Sequence, residues 1–118
     1  MSYEIELITL KCVDAQEGKD EVSLYVNGNR AWHVEGVGTG MNFLIGQRVP
    51  FDHDVTVRLN EVDVHRDDTI GTDLHLGERD VYGRLNGDSM GPWTHTFSWR
   101  KTRTIDAKYQ LTYNLHQI

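Results

Sequence analysis

Residues 55–74 read VTVRLNEVDVHRDDTIGTDL, and this stretch indicates both a strand and a group of acidic side chains at its end. Val55, Val57 and Leu59 alternate with polar residues, which is typical of a strand with one apolar and one wet face. The same alternation carries Glu61 and Asp63 to the core-facing side, where the apolar run stops. Since an unpaired charge is costly to bury, we expect these carboxylates to have a partner, most simply a bound cation.

Three other acidic residues also lie at the ends of predicted strands, on the side that faces the core. Asp68 begins a second alternation with Ile70, Asp14 continues that of Cys12, and Asp20 precedes that of Val22. If the loops that carry them meet at one end, the carboxylates converge and repel one another unless they are protonated or hold a hard cation. Oxygen ligands on loops suit Ca²⁺, which takes 6–8 of them, better than Mg²⁺, which needs a tighter octahedron.

The rest of the chain predicts short strands separated by turns, and we find no helical periodicity. The pair Asn27-Gly28 predicts a tight hairpin, and a change of parity near residues 7–8 predicts a bulge. Residues 35–40 are expected to form a loop, and residues 48–54 to turn through Pro50. About eight strands in this pattern predict an all-β antiparallel sandwich. We expect the strands near residues 3–13, 22–26, 30–34, 41–45, 55–60, 68–76, 81–85, 93–99 and 107–116.

Composition narrows the class of protein. The chain has 118 residues and a formal net charge of -6, so we expect one domain, residues 1–118, that does not bind nucleic acid. It contains no apolar run long enough to span a bilayer and does not begin like a signal peptide, so we expect a soluble, cytoplasmic protein. Cys12 is the only cysteine and is expected in the core.

The acidic pattern resembles the C2 domain. Asp14-x5-Asp20-x4-Tyr25, followed by Glu61-x-Asp63 and then by Asp68-x-Ile70-Gly71, is similar to that family's loops one and three. The resemblance implies an eight-stranded antiparallel sandwich whose loops hold Ca²⁺ at one end. It also implies that the chain starts as in the circularly permuted topology, that residues 35–40 are loop two, and that residues 52–54 lie at the opposite end.

The sequence also departs from the family's pattern. Glu61 replaces the usual Asp, loop three is about one residue short, Glu21-Val22 replaces Pro-Tyr, and loop two lacks Asn-Pro. In the shorter loop Asp67 could take the place of Asp68. We therefore expect a distant, microbial relative, and the predicted metal ligands are Asp14, Asp20, Glu61, Asp63, Asp67 and Asp68.

The predicted function is that of a non-catalytic Ca²⁺-binding module. In relatives the ion bridges the loops to anionic lipid, but Ala15, Gln16, Glu17 and Lys19 at one loop tip, and Val64, His65 and Arg66 at the other, offer little apolar surface. Any lipid association should therefore be weak and dependent on Ca²⁺. A metal-free module that binds another protein, and a carbohydrate-binding module, remain alternatives.

The other candidate sites are explained more simply as structural residues. Trp93, Phe97 and Trp99 share one parity and could stack on sugars, but alternating aromatic residues of a sandwich usually pack in the core. The six histidines show no close ligand spacing, so we expect no transition-metal site, although His65 could bind Zn²⁺ with Asp63 or Asp67. No nucleophile motif or phosphate-binding loop indicates an enzyme.

Overall fold

A computed structural model describes residues 2–16, 19–62, 68–87, 91–100 and 106–118. In these residues two antiparallel sheets contain nine strands, and one helix connects the seventh strand to the eighth. The bounds are β1 Tyr3–Asp14, β2 Asp20–Val26, β3 Asn29–Val37, β4 Asn42–Phe51, β5 Val55–Glu61, β6 Asp68–Thr69, β7 Leu74–Leu76, α1 Glu78–Asn86, β8 Trp93–Arg100 and β9 Asp106–Gln117.

The two sheets enclose one hydrophobic core. The order of the four-stranded sheet is β4-β1-β9-β8, and that of the five-stranded sheet is β3-β2-β5-β6, with β7 also paired to β5. Side chains at alternate positions of the central strands are fully buried, among them Leu7, Leu24, Leu59 and Leu111. The alternation of apolar residues in the sequence therefore corresponds to the inner faces of the sheets, and the predicted all-β antiparallel sandwich is confirmed.

Two local predictions are also confirmed. The pairing of β1 with both of its neighbours shifts between Leu7 and Thr9, which is the bulge expected from the change of parity. Asn27 and Gly28 connect β2 to β3 with φ angles of 49° and 84°. These positive values are those of a tight hairpin, for which Asn and Gly are the preferred residues.

The strand predicted over residues 81–85 is wrong, because this segment belongs to helix α1. The side chain of Asp80 accepts a hydrogen bond from the backbone N–H of Gly77 over 3.1 Å and so caps the first turn. Val81 is fully buried and Leu85, one turn later, packs against the core. No helix in the described part of the chain has the length and apolar character that crossing a bilayer requires.

The expected turn at residues 48–54 and loop at residues 35–40 were misplaced. β4 continues through Pro50 to Phe51, and the residue paired with Pro50 is Glu4 of β1. Because β4 is at the edge of its sheet, Pro50 needs no hydrogen-bond partner on the other side. β3 likewise continues to Val37, so Glu35 lies on a strand and not in loop two.

Candidate functional site

Four predicted ligands lie at the same end of the sandwich. β1 ends at Asp14, β2 begins at Asp20, β5 ends at Glu61 and β6 begins at Asp68. Glu61 is paired with Val22 of β2 on one side and with Asp68 of β6 on the other. The end of β5 is therefore beside the start of β2, as the sequence analysis required.

Three of these carboxylates are buried. Asp20, Glu61 and Asp68 have exposed fractions of 1%, 5% and 8%. Asp14 differs, because its side chain is exposed. The pairing of β1 with β9 shifts between Cys12 and Asp14, so the core-facing alternation that predicted an inward Asp14 is broken one residue before it. Asp63 and Asp67 lie outside the described residues.

Asp20 is held in place by two hydrogen bonds. Its Oδ2 atom accepts one from the hydroxyl of Tyr109 over 2.6 Å and one from the backbone N–H of Gln16 over 2.7 Å. Burial, followed by the hydrogen bond to Asp20, raises the pKa of Tyr109 far above its usual value. Burial also raises the pKa of the Cys12 thiol, the core residue that the sequence predicted.

Gln16 is a further oxygen donor at this end. The sequence placed it at an exposed loop tip, but its exposed fraction is 7%. Its side-chain Oε1 is buried and has no hydrogen-bond partner among the described residues. Because a buried carbonyl oxygen usually has a partner, this atom is a candidate ligand for a cation. A polar loop residue carries no signal of burial in the sequence.

A second cluster lies on the outer face of the five-stranded sheet and was not predicted. The Nε2 atom of His33 is 3.0 Å from Oε1 of Glu21 and 3.8 Å from Oε1 of Glu35. The only sequence signal was the spacing His33-x-Glu35, which places both side chains on one face of a strand. Glu21 joins them through the β2–β3 hairpin.

The remaining candidates are structural or remote from the acidic end. Phe97 is fully buried, and Trp93 and Trp99 pack against the core, so the core interpretation of this aromatic row is confirmed. Residues 52–54 connect β4 to β5 at the end opposite Glu61, as the resemblance implied. His65 lies outside the described residues.

Comparisons with known proteins find similarity in structure but not in sequence. No family model matches the chain, and neither does any curated protein. A structure of CC2D1B, which coordinates ESRCT-III activity during the mitotic reformation of the nuclear envelope, matches with a TM-score of 0.54 and 12% identity over 98% of this chain. This chain spans 54% of that structure's length.

Two further structures match over nearly the whole chain. A C2 domain matches with a TM-score of 0.45 and 9% identity over 99% of both chains. A calcium-bound structure of the two tandem C2 domains of Extended-Synaptotagmin 2 matches with a TM-score of 0.49 and 10% identity, over 98% of this chain and 42% of that one. At such low identity these likenesses concern the fold alone.

Proposed function

We propose that this chain, which has a distant C2-like β-sandwich fold, is a non-catalytic Ca²⁺-binding module that associates with anionic lipid or with a protein partner. One observation carries the proposal. Asp20, Glu61 and Asp68 are each buried at one end of the sandwich, and Glu61 is paired with Asp68 across two strands, although the ligand atoms of the three side chains are not all within 4.8 Å of one another. Three carboxylates buried at one end of a sandwich favour a cation there, because burial is costly for negative charge.

The donors at this end suit Ca²⁺. Among the residues that the structure describes there, they are oxygen atoms: the three carboxylates and the buried side-chain carbonyl of Gln16. Ca²⁺ accepts 6–8 oxygen ligands from carboxylates, carbonyls and water in a flexible geometry, whereas Zn²⁺ prefers sites with nitrogen or sulfur donors. Asp63 and Asp67 remain predicted ligands of the same ion, and exposed Asp14 is at the rim of the site.

The bound ion would change how this end meets an anionic surface. The chain has a net charge of -6, so an anionic membrane repels it when no cation is present. Ca²⁺ at the acidic end neutralises the carboxylates and leaves coordination positions for lipid phosphate. Met41 lies near this end, since its backbone oxygen accepts a hydrogen bond from the backbone N–H of Cys12. Its side chain is half-exposed and adds one apolar group to the surface.

Vesicle sedimentation tests this proposal. We expect the protein to pellet with vesicles of phosphatidylserine and phosphatidylcholine in Ca²⁺ and to stay in the supernatant in EDTA. Asp68→Asn, which removes one buried charge, should abolish pelleting. Asp54→Asn, at the opposite end, is the matched control and should pellet like the wild type. Strong pelleting in EDTA, or full pelleting of Asp68→Asn, would contradict lipid binding through this site.

A second candidate is association with a protein partner without metal, and one observation favours it. Leu44 is 81% exposed on β4, which is an edge strand. Edge strands offer unpaired backbone groups with which a strand of another chain can pair, and Leu44 would lie within such a contact. Association that persists in Asp68→Asn but is lost in Leu44→Glu would support this candidate over the Ca²⁺-dependent one.

A further inference from the structure

The cluster of Glu21, His33 and Glu35 has the dimensions of a metal site. One ligand atom from each side chain lies within 4.8 Å of the other two, and no other such group of three occurs among the residues that the structure describes. Donors at 2.0–2.2 Å from one tetrahedral Zn²⁺ are roughly 3.3–3.6 Å apart. The observed separations from His33 Nε2, 3.0 Å and 3.8 Å, are on either side of that range.

The backbone of the β2–β3 hairpin produces this arrangement. Ser23 of β2 is paired with His33 of β3, so both side chains are on the same face of the sheet. Between the pairs Asp20–Val37 and Val22–Val34, β3 contains one residue more than β2. This is a β-bulge, and Gly36 takes a positive φ of 69° within it.

The bulge bears directly on the geometry of the cluster. It lies beside Glu21 and Glu35, where β-bulges commonly redirect a side chain. The Glu35 carboxylate is turned toward His33 although 76% of its side chain is exposed. Glycine at position 36 is the residue that accepts this backbone conformation without strain.

The ring of His33 is oriented by a buried partner. Its Nδ1 atom is 2.8 Å from the hydroxyl oxygen of Ser23, and Ser23 is fully buried. When Nδ1–H donates to that oxygen, the lone pair of Nε2 points at the two carboxylates. A hydrogen bond of this kind behind a histidine ligand fixes its tautomer and increases its affinity for a metal.

We propose that Glu21, His33 and Glu35 bind Zn²⁺ on the outer face of the five-stranded sheet, with water as the fourth ligand. With neutral His33 the cluster has two negative charges, which one divalent ion balances. The side chains of Glu21 and His33 are 37% and 27% exposed, so an ion and its water can reach them. Imidazole nitrogen is a ligand for Zn²⁺ and not for Ca²⁺, so this site is separate from the acidic end.

The alternative explanation for this cluster is that His33 carries a second proton in place of a metal ion. A protonated His33 would form an ordinary ion pair with Glu21 and would need no metal. At neutral pH in the presence of Zn²⁺, the first explanation places the metal ion on Nε2 of His33, and the second places a proton there. Nitrogen-15 spectra of the histidine side chains report this directly, since Zn²⁺ on Nε2 leaves a single proton on Nδ1 and a proton on Nε2 gives the imidazolium.

Isothermal titration of the 118-residue chain with ZnCl₂ tests the proposal. We expect one Zn²⁺ per chain at this site. Glu35→Gln and His33→Gln should each weaken its binding more than tenfold, and Ser23→Ala should weaken it about 10–100-fold without removing a ligand. His53→Gln is the matched control, because His53 makes a similar 3.6 Å contact with Glu78 at a distant position and should not affect the titration.

The outcomes separate this site from the acidic end. Zn²⁺ binding that survives in both Glu35→Gln and His33→Gln but disappears in Asp68→Asn would place the ion at the acidic end and overturn the proposal. No saturable binding to the wild type, or an imidazolium signal of His33 that persists at saturating Zn²⁺, would also overturn it. Circular dichroism of each variant checks folding, and Glu35→Gln, at the most exposed ligand, changes the surface alone.

Discussion

At the residue scale, Asp20 is both a predicted ligand and a structural residue. Its Oδ2 atom accepts hydrogen bonds from Tyr109 and Gln16, so it anchors the start of β2 to β9 and to the loop before it. A substitution at Asp20 would therefore disturb packing as well as any bound ion. Asp68→Asn, which is nearly isosteric and removes one buried charge, therefore tests metal binding at a predicted ligand other than this anchor.

The hydrogen bond from Tyr109 to Asp20 predicts an unusual pH dependence for Tyr109→Phe. At neutral pH the variant loses a hydrogen bond to a charged group, which should lower the free energy of unfolding by about 1.5–3 kcal/mol. Above the ordinary tyrosine pKa of 10.0, Tyr109 ionises in the unfolded chain, whereas burial keeps it protonated in the folded one. The unfolded state then binds fewer protons, so wild-type stability falls as the pH rises.

The phenylalanine variant lacks this contribution. Above pH 10 its free energy of unfolding should fall less steeply than that of the wild type, and the two slopes should differ by about 1.4 kcal/mol per pH unit. The difference in stability between the two proteins therefore narrows. Urea unfolding at neutral pH and at about one unit above the tyrosine pKa measures both effects. Tyr82→Phe, at an exposed tyrosine of α1, is the control. A difference that stays constant across this range would contradict the account.

Residue patterns predicted part of the acidic end. Asp20, Glu61 and Asp68 follow the inward alternation of their strands, and all three are buried. Alternation failed for Asp14, because a shift in strand pairing intervenes after Cys12. It also gave no sign of the cluster around His33, since contacts across a hairpin depend on pairing and on the bulge at Gly36.

At the element scale, the segment after β6 packs tightly against β8 at Gly71. Gly71 follows β6, and a Cβ atom there would lie 2.6 Å from the backbone nitrogen of Ser98 on β8. Its φ of 69° is also in the region that favours glycine. Gly46 of β4 has nearly the same φ, 67°, but a Cβ atom there would meet nothing within 4 Å. A substitution at Gly46 therefore reports backbone strain alone, whereas one at Gly71 reports backbone strain together with steric contact.

Alanine substitutions at these two glycines should therefore differ. Gly46→Ala should cost about 1–2 kcal/mol for the left-handed backbone. Gly71→Ala should cost a further 1–3 kcal/mol or so, because β8 must move away from the new methyl group. Urea midpoints of the two variants measure the difference. Equal losses at the two positions would mean that the segment at Gly71 is not in tight contact with β8.

Elements with clean alternation were predictable, and those defined by tertiary contacts were not. β5, whose alternation is uninterrupted, was predicted as a strand from Val55 onward, and it ends at Glu61. Helix α1 has only nine residues, too few for a clear helical period in the sequence. In the structure its features are the cap at Gly77 and buried Val81. β4 was predicted to be too short because Gly46 and Pro50 usually end strands, yet both are tolerated where a bulge or a sheet edge accommodates them.

At the scale of the whole molecule, two candidate metal sites lie on opposite faces of one strand end. Asp20 faces the interior and the acidic end, while the side chain of Glu21 is on the outer face with His33. The backbone oxygen of Glu21 also accepts a hydrogen bond from Val62, just after β5. The start of β2 therefore connects both sites to the loops through which we propose that the module meets its partner.

The overall architecture was predictable because about eight short alternating segments separated by turns indicate an antiparallel sandwich. The order of strands in the two sheets was not, because pairing partners distant in sequence, such as β1 with β9, leave no local pattern. The same holds for the role of Tyr109, which reaches Asp20 across 89 residues. Function is therefore tested best at the acidic end, where three of the predicted ligands are buried.

Thermal unfolding of the wild type and of Asp68→Asn in EDTA, in Ca²⁺ and in Mg²⁺ tests the Ca²⁺ site most directly. A ligand at about 100 times its dissociation constant stabilises the folded state by about 2.7 kcal/mol, or about 10 °C for a domain of this size. We predict such a rise for the wild type in Ca²⁺, a smaller one in Mg²⁺, and none for Asp68→Asn, whereas Glu35→Gln keeps the full rise. A wild-type melting temperature that does not change at any Ca²⁺ concentration would contradict the account.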